Sequence, residues 1–118
     1  MKEGTASNQT NLALGVEHLK KAIGYASRGK TDFFDEDDSV LAVAVEAELR
    51  KAFESLNRLG QSFWIANPDI KRYRIHELRQ LLTHDYTEAS REVVWDVATE
   101  EAPPILRRLT KAKVPKGE

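Results

Sequence analysis

Cysteine is absent from the chain, which excludes disulfides and thiolate metal sites. A thiol-free protein suits a reducing compartment. No apolar run approaches the roughly 20 residues of a membrane span. The opening stretch MKEGTASNQTN also lacks the apolar core of a signal peptide, so the expected location is the cytoplasm. There is no excess of charge of either sign: 18 Lys and Arg stand against 19 Asp and Glu, a net charge of −1. Bulk electrostatics therefore does not advertise a dedicated nucleic-acid binder, yet it permits an enzyme that handles RNA through a local site. No metal-ligand spacing is present, and no metal or other cofactor is expected. No segment alternates like a strand, and there is no internal repeat or low-complexity tract.

What remains is helical. Of 118 residues, 41% are hydrophobic and 31% charged, the composition of one folded, soluble domain. Leu12, Val16, Leu19, Ile23 and Ala26 step by threes and fours, predicting an amphipathic helix that stops near Gly29, a residue suited to a left-handed cap. A second helix should run from about Val40 to Leu59 through Leu41, Val45, Leu49, Ala52, Phe53 and Leu56. Val43 and Val45 widen its apolar face, as in a helix that is central or packs on a second subunit. Phe63, Trp64 and Ile65 form a short apolar patch before the Asn67-Pro68 break. A third helix covers about Ile70 to Thr83, with Ile75, Leu78 and Leu82 inward. A fourth begins after Tyr86, capped by Thr87 or Ser90, and Pro103-Pro104 should kink or restart it. The fold class is all-α, an up-and-down bundle of four to five helices. Residues 1–8 are expected as a flexible tail, 9–112 as the helical domain and 113–118 as a basic flexible tail.

Charge is unevenly placed. Asp32, Asp35, Glu36, Asp37 and Asp38 gather ahead of the second helix, where acids favour a helix start and Asp38 or Ser39 can cap it. Lys71, Arg72 and Arg74 precede the third helix's most informative stretch, HELRQLLTHDY, and are candidates for RNA contact. That stretch sets Arg79, His84 and Tyr86 in the pattern R-x-x-x-x-H-x-Y. Arginine offers a permanently charged planar fork for phosphate oxygens. Histidine accepts and returns a proton near neutral pH. Metal-free RNA cleavage needs those two functions: a base for the ribose 2′ proton and a cation for charge building on phosphorus oxygens. Its product is a 2′,3′-cyclic phosphate end. On a straight helix, however, five residues turn through about 500°, leaving His84 roughly 140° from Arg79. Cooperation therefore needs the helix to end near His84, a subunit interface, or both; a two-fold dimer would double a sparse site. The same residues also suit ordinary structure, with His84 and Asp85 ending a helix and Tyr86 packing at its rim.

The stretch IKRYRIHELRQLLTHDY resembles the signature region of the HepT-like toxin ribonucleases, members of the HEPN superfamily of helical domains. Upstream, DFFDEDDSVLAVAVEAELRKAFESL is similar to that family's second helix and the acidic turn before it. Downstream, EVVWDVATEEAPPIL is similar to its last helices, and the likeness spans about residues 12 to 110. The resemblance implies a toxin of a toxin–antitoxin pair, a homodimer with a composite ribonuclease cleft. Arg79 and His84 would be catalytic, and Gln80 supporting. The implied partner is a small MNT-type nucleotidyltransferase antitoxin that transfers AMP from ATP to Tyr86. The added bulk and negative charge beside Arg79 would compete with the RNA phosphate. Two positions depart from the family: Gln80 stands where a small polar residue, often asparagine, is usual, and Lys71-Arg72 replaces a common Pro-Trp. His18 and His76 match no family role and read as ordinary surface or interface histidines, and Trp64 and Trp95 as packing anchors. The alternative to an enzyme is a HEPN-type helical partner of a nucleotidyltransferase that does not cleave RNA.

Overall fold

The computed structural model describes residues 7–83 and 88–115. It is helical throughout: α1 (Asn8–Ala26), α2 (Lys30–Phe33), α3 (Val40–Asn57), α4 (Gln61–Ala66), α5 (Arg72–Leu81), α6 (Glu88–Asp96), a π-helical turn (Val97–Glu101) and α7 (Ala102–Thr110). The long helices are α1, α3, α5 and the run from α6 through α7, with α2 and α4 set into the connections. The principal extents are 48 × 26 × 20 Å, an elongated bundle. No described helix is long and apolar enough to cross a membrane.

The first helix begins where Ser7 accepts a hydrogen bond from Thr10 N–H at 3.1 Å, satisfying a donor that the helix leaves free. Its deepest face differs from the expected leucine and valine stripe. Asn8, Asn11, Gly15, Leu19, Ala22 and Ala26 are buried, while Leu12, Val16 and Ile23 flank them at partial depth. The reason lies on α3. Leu56 fills the space where a side chain at Gly15 would stand, so small residues let the two backbones approach. Asn8 closes the same region by accepting from Gly60 N–H at 2.8 Å.

α3 is the central helix, packed by α1, α5, α6 and α2. Val45, Leu49, Ala52, Phe53 and Leu56 are fully buried, whereas Val43, expected to widen the buried face, is half exposed. Its start follows the acidic turn, where Asp35 accepts from Asp37 N–H at 2.9 Å and Asp38 from Val40 N–H at 3.0 Å. Asp38 rather than Ser39 supplies the side-chain cap. Gly29 has φ 111° and ψ 163°, so it enters α2 from an extended positive-φ conformation and not from the left-handed helical one. Only glycine adopts that region without strain.

One polar side-chain pair crosses the α1–α3 contact. His18 Nδ1 lies 2.8 Å from Glu48 Oε1, both side chains mostly buried, and Lys51 Nζ is 3.4 Å from the other carboxylate oxygen. His18 is thus an internal partner of α3 and not a surface histidine. Burial pushes the Glu48 carboxyl up, but the hydrogen bonds and charges of His18 and Lys51 outweigh it and hold the group below its ordinary 4.5. A depressed carboxylate stabilises the fold above the unfolded value, and that contribution is lost as pH falls through the folded one. Glu48→Gln should therefore be less stable than the parent at neutral pH. The deficit should shrink below about pH 4.5 in urea titrations run across pH. A deficit independent of pH would remove the ion pair from the account.

Phe63 and Trp64 of the expected apolar patch are buried, and the patch coils into α4. The Trp64 indole N–H donates to Leu59 O at 2.9 Å. Asn67 then ties the chain's late segment down, donating to Phe63 O and Lys113 O and accepting from Lys113 N–H, all within 2.9 Å. Trp95 packs on Phe33 and Phe34 with ring centroids 5.0 and 5.8 Å away. Pro103-Pro104 sit where the last helix restarts: α7 opens at Ala102 with proline in its first turn. Proline lacks an N–H and crowds the preceding turn, and the chain widens just ahead of it, Ala102 N–H reaching back to Val97 O.

Candidate functional site

The candidate site grows from α5. Ile75 and Leu78 face the core, which turns Arg72, Tyr73, His76 and Gln80 outward and leaves Arg79 at partial depth on the last turn. Leu81 and Leu82 end the helix together. Leu82 N–H shares the carbonyls of Leu78 and Arg79 at 3.2 Å each, and Thr83 N–H bonds to Gln80 O at 3.2 Å, the tightened geometry of a helix end. Arg50 of α3 completes it, its Nε donating to Leu82 O at 2.6 Å while paired with Glu46 at 3.1 Å. A cation on the exposed carbonyl end of a helix opposes the negative pole there.

The α-helix thus stops before residue 84. A regular helix would separate residues 79 and 84 by roughly 140°, but α5 does not continue far enough to impose that divergence. His84, Asp85, Tyr86 and Thr87 lie outside the described residues.

The cations near the motif divide into two groups. Arg74 forms a bidentate pair with Glu101 of the π-turn, Nη2 to Oε2 at 2.8 Å and Nε to Oε1 at 3.3 Å, and also meets Glu77 at 3.4 Å. The Glu101 hydrogen bond is the chief cause that raises the Arg74 guanidinium above its ordinary value. Arg74 is therefore committed to holding α5 against the π-turn. Among the described residues Lys71, Arg72 and Arg79 have no carboxylate partner. Lys71 Nζ donates to Pro68 O at 3.1 Å, and the Arg72 guanidinium lies 5.9 Å from the centre of the Trp64 ring. Gln80 Nε2 and His76 Nε2 are 3.2 Å apart.

An arginine at a helix end, next to an amide and on the same helix run as two further cations that, like it, meet no carboxylate among the described residues, is equipped to hold phosphate oxygens. The model of the HepT-like ribonuclease family matches residues 16–112, from the third turn of α1 to beyond α7. The chain belongs to that family. Neither a curated protein nor a solved structure matches it. In this HepT-like chain the family match encloses Arg79, Gln80 and the whole helix end that carries them. Two participants were invisible in the sequence around the motif: Arg50, 29 residues before Arg79, and Glu101, 27 after Arg74. Neither has a local signal, because each reaches α5 only across the bundle.

Proposed function

We propose that this HepT-like protein is the toxin of a toxin–antitoxin pair, a cytoplasmic endoribonuclease that needs no metal. Arg79 and His84 are its catalytic residues, and two copies of the chain contribute to one cleft. The observation that carries this reading is an arginine without a carboxylate partner among the described residues, on a helix that ends just before the histidine. Leu81, 44% exposed two residues after Arg79 on the last turn of α5, supports a second copy near the cleft by offering it an apolar contact.

In the proposed reaction His84 removes the ribose 2′ proton, and the 2′ oxygen attacks the adjacent phosphorus. The bond to the 5′ oxygen breaks, that oxygen takes a proton, and the strand is left with a 2′,3′-cyclic phosphate and a 5′ hydroxyl. Arg79 binds the non-bridging oxygens, where negative charge grows in the transition state. Gln80 supports the turn. Silencing is by an MNT-type nucleotidyltransferase: the Tyr86 hydroxyl attacks the α-phosphorus of ATP, pyrophosphate leaves, and AMP stays on the tyrosine. The new phosphate then competes with RNA for Arg79.

The test is to incubate the purified protein with single-stranded RNA in the presence of EDTA and identify the product ends. Cyclic phosphate ends are expected, with none from Arg79→Ala purified in the same way. Intact-mass measurement after addition of the antitoxin and ATP should show AMP on Tyr86. Chelator-sensitive cleavage would remove the metal-free mechanism, and AMP on another residue would remove the Tyr86 switch. An RNA-inert protein that still binds the nucleotidyltransferase would instead be its helical scaffold.

A further inference from the structure

A cavity lies apart from Arg79, at the opposite end of α5. It has a volume of about 620 Å³ and opens where the Asn67–Lys71 connection meets the end of α3 and the first turns of α5. Its lining combines Lys71, Arg72 and His76 with Tyr73, Trp64 and Asn57, and no carboxylate takes part. The ion-paired Arg74 is absent from it and lines a second, smaller cavity with Glu101.

Each component has a state that suits one kind of ligand. Tyr73 is 68% exposed, an aromatic face turned to solvent with no ring partner among the described residues. Trp64 is committed to the floor by its bond to Leu59 O and by Phe63, edge-on with ring centres 5.2 Å apart. The Arg72 guanidinium lies 5.9 Å from the centre of that ring, within cation–π reach, and meets no carboxylate among the described residues. Among the described residues Lys71 Nζ is held by a neutral carbonyl, a bond that a phosphate oxygen can replace with a charged one. Asn57 adds an amide that both donates and accepts, as the edge of a base requires. Aromatic face, paired cations and amide in one concavity fit a single-stranded nucleotide, because a duplex does not offer its bases for stacking.

The cavity and Arg79 are linked along one helix. Arg72, His76 and Gln80 follow one another by single turns along α5, and His76, in the cavity wall, is within hydrogen-bond distance of Gln80, the neighbour of Arg79. Seven residues of helix separate Arg72 from Arg79, roughly 10 Å along the axis, a span that neighbouring nucleotides of one strand can bridge.

We propose that this cavity is a nucleotide subsite for single-stranded RNA, stacking a base on Tyr73 and holding its phosphate on Lys71 and Arg72. It takes its substrate class from the ribonuclease reading, and it accounts for binding beside the scissile phosphate, not for chemistry. Interactions made equally in ground and transition states lower KM and leave kcat unchanged.

The experiment titrates the protein against a short, labelled 2′-O-methyl oligoribonucleotide, which lacks the attacking hydroxyl and cannot be cut. Tyr73→Ala should raise Kd about fivefold or more, and Tyr73→Phe should restore binding to within about twofold. Lys71→Gln with Arg72→Gln should raise Kd roughly tenfold. The same pair should make the slope of log K against log salt shallower by about 1.4, for two lost phosphate contacts on a single strand. Arg107→Gln with Arg108→Gln, removing equal charge from α7, should leave Kd within about twofold. With unmodified RNA, the Tyr73 and Lys71/Arg72 variants should raise KM at unchanged kcat. Parent-like binding by Tyr73→Ala overturns the subsite, as does equal weakening by the α7 pair or no binding by the parent. Continued cleavage by the parent in those cases leaves the ribonuclease reading intact. The expected binding pattern without any cleavage of unmodified RNA does the reverse.

Discussion

Arg79→Ala is expected to lower kcat for RNA cleavage by about two to three orders of magnitude, the usual effect of removing one group that stabilises transition-state charge. The loss should fall on the reaction and not on the fold. Arg79 has no carboxylate partner among the described residues, so its removal strands no opposing charge there. Alanine is also the strongest helix former, and the end of α5 is held by backbone bonds and by Arg50 on Leu82 O. Helical content and melting temperature should accordingly stay near those of the parent. Arg79→Lys keeps the charge but loses the planar fork, and should recover only part of the rate. Arg74→Ala supplies the contrast. It frees Glu101 from a bidentate pair and should disturb the contact between α5 and the π-turn, while kcat remains within a few-fold of the parent. Full activity in Arg79→Ala, or an equal loss in Arg74→Ala, would mean that the phosphate is held elsewhere.

The largest effect on stability is expected from one of the smallest changes. Gly15→Ala should cost about 3 kcal/mol, at the upper end for overpacking a filled core. A Cβ at Gly15 would stand 2.7 Å from Leu56 Cγ and collide with Leu56 Cδ2 as well. The obstruction includes a branch carbon and not only a flexible tip, and Leu56 is fully buried, with no open space to turn into. Either α1 must move off α3 or Leu56 must leave its rotamer. For a domain of this size the midpoint of thermal unfolding should drop by roughly 10 °C. A double-mutant cycle tests the cause. Leu56→Ala alone should cost about 2–5 kcal/mol through the cavity it leaves. Combined with Gly15→Ala it should cost at least about 1 kcal/mol less than the sum, because each change relieves the other. Strict additivity would place the clash outside this contact. Gly24, on the same helix, has nothing within 4 Å of an added Cβ and should accept alanine without loss.

Much of the architecture was legible before any coordinates. The periodicity of Leu41 through Leu56 gave α3, Asn67-Pro68 gave the break before α5, and Ile75, Leu78 and Leu82 gave the inward face of α5. These features are set within a few residues, where helix periodicity, glycine and proline act directly on the backbone. Less legible was how deep each face sits. Leu12, Val16 and Ile23 are more apolar than Gly15 and Ala22, yet the small residues lie deeper, because burial there depends on how closely α3 can approach. The proline pair marks the restart at α7, as its chemistry predicts, but the wider π-turn ahead of it has no signal of its own in the sequence.

For the site, residue types in the sequence determined which chemistries were available: a phosphate-gripping arginine, a proton-transfer histidine and a modifiable tyrosine in one short stretch. Sequence likewise determined the family, through a match over most of the domain. Tertiary structure decided which cations meet a carboxylate among the described residues. Lys71, Arg72 and Arg74 look equivalent along the chain, but Glu101 neutralises Arg74, while Trp64 and the Asn67–Lys71 connection shape a cavity around the other two. It also decided where α5 ends, since Arg50 arrives from α3 to cap Leu82. Propensity and periodicity are local and can be read along one strand of text. Charge pairing and concavity are made by residues distant in the chain, and exist only once the helices have packed.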